Sequence, residues 1–111
     1  MTRERRIHSR VRAQIRGAVR LSTTGELLEG VIENVGDGGV FFATEILEVL
    51  VTDGDRAIVE FNGKRDGAPV ALQIPSTILR TERYFDGQRV VRAFAIQFQE
   101  CHDFTGTTFG E

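Results

Sequence analysis

The chain has 111 residues, 41% of them apolar and 27% charged, with a net charge of −2, the composition of a folded domain and not of a disordered tail. That length supports one domain and excludes a second. No apolar run approaches the roughly 20 residues of a membrane span, the arginine-rich start lacks the apolar centre of a secretory signal, and a single cysteine, Cys101, forms no internal disulfide. The expected protein is therefore cytoplasmic and not inserted in a membrane.

In chain order the first element is a basic arm, residues 1–12. Residues 1–20 hold seven arginines (Arg3, Arg5, Arg6, Arg10, Arg12, Arg16, Arg20) against Glu4, a local charge of +6, while the rest of the chain sums to −8. Thirteen of the fourteen basic residues are arginine. A guanidinium forks onto phosphate or onto guanine O6 and N7 and stacks on flat rings, which suits a planar, phosphorylated partner. A general arginine bias with a solvated arm accounts for the same count.

A barrel is expected over 13–100 and a tail over 101–111. Ala13 to Leu21 alternates, with Ile15, Val19 and Leu21 on one face, and reads as a half-buried strand. Ser22-Thr23-Thr24-Gly25 is a turn, and a second strand runs from Leu27 to Val35 with Leu27, Val31 and Val35 sharing a face. A third covers Val40 to Thr44. Residues 45–51 fit neither period and are read as a connection. Asp53-Gly54-Asp55 turns into a fourth strand, Arg56 to Asn62, with Ala57, Val59 and Phe61 inward. A polar hairpin tip, Asn62 to Gly67, leads to a long fifth strand, Val70 to Glu82. Pro75 inside it removes a ladder donor, so the strand is expected to lie on an edge or to bend there. After Asp86-Gly87 the last strand, Arg89 to Gln99, sets Val90, Phe94, Ile96 and Phe98 against a smaller face with room at Ala93 and Ala95. The tail is too rich in threonine for a helix and is expected to fray.

Strands at near-regular spacing with no long amphipathic helix predict an all-β fold, a small six-stranded antiparallel β-barrel that leaves no open sheet edge. Between the second and third strands lies Glu33-Asn34-Val35-Gly36-Asp37-Gly38-Gly39-Val40, with three glycines in four positions. A tight turn with positive φ explains them, and so does a bare backbone for close approach of a bound group.

Chemistry of other kinds is hard to find. No nucleophile elbow is present, and adjacent Cys101 and His102 point to opposite faces of an extended chain. His8 and His102 make no ligand-spaced pair, and Gly63-Lys64 lacks the glycine and hydroxyl residue of a phosphate loop. The sequence argues against an enzyme and offers no cofactor or metal site. With one tyrosine and no tryptophan, general nucleic-acid binding by stacking is disfavoured.

Arg6-Ile7-His8-Ser9-Arg10 is an RxxxR, and Asn34-Val35-Gly36-Asp37-Gly38-Gly39 matches (D/N)xSxxG except at its serine. In this order, on an all-β chain of this size, the pair resembles the PilZ domain family of bacterial signalling modules, as does the closing Ala95-Ile96-Gln97-Phe98. The resemblance implies a flexible arginine-rich N-terminal arm and cyclic di-GMP as ligand. Arg6 and Arg10 would grip guanine edges and phosphates, with Asn34, Gly36 and Gly39 at the matching barrel positions. Arg5, directly before RxxxR, implies an intercalated ligand dimer. Gly36 stands where the motif has serine, so one hydroxyl is missing. A protein partner in motility or exopolysaccharide control is implied for a sensor of this kind. The other expectation is an adaptor of the same fold that binds no nucleotide.

Overall fold

A computed structural model describes residues 10–109. It contains β1 (Arg10–Leu21), β2 (Leu27–Gly36), β3 (Gly39–Thr44), β4 (Arg56–Arg65), β5 (Ala68–Phe85), β6 (Val90–Phe98) and β7 (Thr107–Thr108). Every pairing is antiparallel, in the order β1-β2-β3-β6-β5-β4, and β4 pairs back onto β1 from Gly17↔Phe61 to Leu21↔Ala57. The six expected strands thus close into a ring. The seventh, two residues long, adds to β4 at Lys64 and Arg65, beyond the last β1–β4 pair, Gly17↔Phe61.

One face of each strand fills the ring with Val19, Leu28, Ile32, Phe42, Val59, Ile78 and Phe94, all at or near full burial. Fully burying such side chains contributes about 1.5–3 kcal/mol each. Arg10 to Arg12, expected in the arm, are the first residues of β1.

The inward set of β2 differs from the expected one. Leu28 and Ile32 point inward, Leu27 is 39% exposed and Val31 only half-buried. Glu33 is an extra residue between the pairs Ile32↔Phe42 and Asn34↔Phe41. Such a bulge resets the alternation, so Val35 joins the core and Asn34 turns to the outer face. On β6, Val90 is exposed at the hairpin end opposite Phe85, and Arg92 takes the inward position before Phe94.

Pro75 sits at the local edge that β5 presents where its ladder to β6 stops, as expected of a proline in a strand. Its carbonyl accepts the Gln99 N–H, so its ring nitrogen faces the same side, where β6 has just ended. The ladder to β4, with Ile58↔Pro75, runs on unbroken.

Residues 45–51 plug one end of the ring, carrying Val49 and Val51 into the core. Arg92, only 9% exposed, donates to the Val49 and Leu47 carbonyls, and Arg83 also donates to Leu47 at 3.2 Å. Burial, and then the charge of Arg83, lower the pKa of the Arg92 guanidinium. The opposite end is covered by the tail, which does not fray within the described residues. Phe104 and Phe109 stack on Phe61, and Phe104 on Phe98, with centroids 5.7–6.3 Å apart.

Arg92→Ala leaves plug carbonyls without a donor and is expected to destabilise the fold by about 1.5–3 kcal/mol, read from the urea midpoint. An unchanged midpoint would show that the plug holds without it.

Candidate ligand-binding face

The two sequence motifs meet in the β1–β2 ladder. Arg10 is opposite Gly36, Val11 opposite Val35 and Arg12 opposite Asn34. Arg5 and Arg6 lie outside the described residues. Gly36 in turn faces Gly39 across the loop Asp37-Gly38. The loop is tied to the tail end of the ring, since Phe98 N–H donates to Gly38 and His102 N–H donates to Asp37.

The three glycines are not there for positive φ. That conformation occurs at Gly25, Gly54, Gly67, Gly87 and Gly106, and not at Gly36, Gly38 or Gly39. What Gly39 permits is the approach of β6: a Cβ at this position would lie 2.1 Å from the Ile96 oxygen and 3.2 Å from the Gln97 Cα. The close neighbour is backbone of the protein itself. Gly36, at the place of the motif's serine, is buried and has a backbone that other residues adopt.

The Glu33 bulge sets Asn34 on the outer face beside Phe41, which pairs onward with Ala95, which pairs with Arg80. Phe41 and Ala95 are half-buried and Arg80 is exposed. Sequence reasoning singled out the room at Ala95 but not Phe41 or Arg80. Phe41 sits in a strand whose sequence reading assigns no face, and the parity of β5 would send Arg80 inward with Ile74 and Ile78 were it not for a second bulge at Leu79.

Further along the same face, Tyr84 of β5 donates to Glu33 Oε2 of β2 at 3.5 Å. The side chain has to cross β6 and β3, and it does so over their small residues. This explains why Ala93 is 1% exposed and Ala43 buried although both face outward. The room expected at Ala93 is thus occupied by the protein's own tyrosine strap. Burial, and then the charge and hydrogen bond of Glu33, raise the Tyr84 pKa.

A shallow groove of about 1100 Å³ runs round the waist beside this strap, lined among others by Glu29, Glu33, Glu60, Asp86 and Arg16. Its acids make it a poor home for an anion, and Asn34, Gly36 and Gly39 do not line it. The His102 ring packs on Phe104, with centroids 4.5 Å apart. Among the described residues no cluster of three metal-ligating side chains occurs, and no helix long and apolar enough to cross a membrane is found.

No family model and no curated protein matches the sequence. Solved structures do. The inhibitor of motility MotI/DgrA of Bacillus subtilis superimposes with a TM-score of 0.70 at 13% identity, over 93% of this chain and 46% of that one. The PilZ domain of Escherichia coli YcgR, solved with c-di-GMP, superimposes with a TM-score of 0.65 at 15% identity, over 86% of this chain and 79% of that one. This chain therefore spans about half the length of MotI/DgrA and most of the YcgR domain. At such identities the likeness is one of fold: the chain has a PilZ-like fold, an all-β ring of six antiparallel strands.

Gly39→Ala forces the β3 and β6 backbones apart and is expected to cost at least about 1–3 kcal/mol, seen as a lower melting temperature. Equal melting would mean that the strands separate freely. Tyr84 is the single tyrosine, so phenolate absorbance reports it alone. Its titration is expected above the ordinary value of about 10, with Glu33→Gln lowering the midpoint but not abolishing the shift, because burial is the larger cause. A raised folded-state pKa means that this contribution to stability is present below the unfolded value and lost as pH rises through the folded one.

Proposed function

We propose that this protein is a cyclic di-GMP sensor module, in which the ligand brings the arginine-rich segment before β1 against the barrel and the changed surface is read by a protein partner. The observation that carries the reading is the ladder itself. Two sequence motifs more than twenty residues apart become next-door neighbours, Arg10 with Gly36 and Arg12 with Asn34. Arginine, with its forked donors, at the positions opposite the second motif suits recognition of a guanine edge and a phosphate. The shared fold with the YcgR PilZ domain solved with c-di-GMP, and with a motility inhibitor, supports the same reading and favours motility as the process regulated.

Arg6 and Arg10 are the grip, Asn34, Gly36 and Gly39 the barrel side, and Arg5 the residue that admits a second, intercalated ligand. Ordering an arm by a bound anion is a disorder-to-order switch. The reading places the protein in the bacterial cytoplasm, acting by binding and not by catalysis.

Titration calorimetry tests it. Wild type is expected to bind two cyclic di-GMP per chain, falling toward one in Arg5→Leu. Arg6→Ala and Arg10→Ala are each expected to lose about 1.5–3 kcal/mol, roughly ten- to a hundredfold in affinity. Absence of binding by wild type would leave the nucleotide-free adaptor in its place, and a steep salt dependence without preference over bulk RNA would indicate general polyanion binding.

A further inference from the structure

The two bulges bracket a single rank of side chains. Glu33 is inserted in β2 between the pairs to Phe42 and Phe41, and Leu79 is inserted in β5 between the pairs to Ile96 and Ala95. Since Phe41 pairs with Ala95, the rank enclosed is Asn34–Phe41–Ala95–Arg80. Without the extra residues Asn34 would follow Leu28 and Ile32 into the core, and Arg80 would follow Ile74 and Ile78. Two independent insertions thus turn one amide and one guanidinium outward on the same line. Bulges that re-aim side chains are a recurrent device beside binding sites.

We infer that this rank is a guanine-binding shelf: a base lies flat on the Phe41 ring and Arg80 reads its O6/N7 edge across Ala95. The inference rests on the proposed cyclic di-GMP reading and deepens it, assigning to the second guanine two residues outside both sequence motifs. Neighbouring strands are about 4.8 Å apart, so the shelf spans about 14 Å from Asn34 to Arg80, with the aromatic ring next to the amide. Ala95, with one methyl, leaves the base edge open toward β5. A base parallel to the sheet presents its edge in the plane of the rank, where a guanidinium from the next strand meets it with two parallel N–H donors. Leu79, itself 47% exposed, forms an apolar rim beside Arg80. Among the described residues Arg80 has no ion-pair partner, although Glu82 shares its face.

The experiment is titration of wild type, Arg80→Ala, Arg80→Lys, Phe41→Leu and Arg10→Ala with cyclic di-GMP and with cyclic di-AMP, alongside thermal melts. Arg80→Ala is expected to weaken cyclic di-GMP by about five- to a hundredfold and to narrow the preference for guanine over adenine, with unchanged melting. Arg80→Lys keeps the charge without the fork and is expected not to restore the preference. Phe41→Leu is expected to weaken both ligands, as lost stacking does. If Arg10→Ala loses binding while the Arg80 variants bind as wild type, or if Arg80→Ala weakens both dinucleotides equally, the shelf is wrong and the sensor reading stands. If wild type binds neither dinucleotide, both fall.

Discussion

A closed ring of strands gives each strand one face for the core and one for the outside, and the alternation along the chain decides which residue goes where. Any side chain needed outside at a position whose parity points it inward requires one extra residue in its strand. Glu33 and Leu79 are such residues. The barrel keeps its core because Val35 is brought back inward after the first bulge and Thr81 is paired with Phe94 after the second. It acquires an outer face because Asn34 and Arg80 are released from the core at the same two steps.

Closure around the ring leaves two open ends, and the protein fills them differently. One receives Val49 and Val51 on an irregular segment whose carbonyls are held by Arg92, a buried cation satisfied by backbone oxygens and by the face of Phe94 at 5.6 Å. The other receives Phe104 and Phe109. That second cover is bonded to the glycine loop through His102 and Asp37. The loop between the motif strands therefore shares its hydrogen bonds with the aromatic end cover, and a displacement of one is felt by the other.

Charge sets a further condition on the site. Glu33 and Asp37 flank the Asn34 segment, Glu82 shares the outer face of β5 with Arg80, and the chain beyond residue 20 sums to −8. A phosphodiester cannot settle there on the barrel alone, because like charges at short range oppose it. The ladder register sets Arg10 and Arg12 of β1 opposite Gly36 and Asn34, and Arg80 stands on the outer face of β5.

The strands, their order along the chain, the turns and the approximate all-β ring were legible in the sequence, since period-two alternation and turn residues act over a few neighbouring positions. The two motifs were legible as short strings of fixed spacing; that Arg10 belongs to β1, Gly36 to β2 and Gly39 to β3 was not. The face of Leu27 and Val31, the role of Gly39, the packing of the tail, and the outward turn of Arg80 were not. A bulge exists only relative to the strand beside it, and the bareness of Gly39 is explained by β6, nearly sixty residues away in the chain. Local alternation determined which segments became strands; the hydrogen-bond partners that long-range pairing supplied decided which residues of those strands meet the core and which face outward.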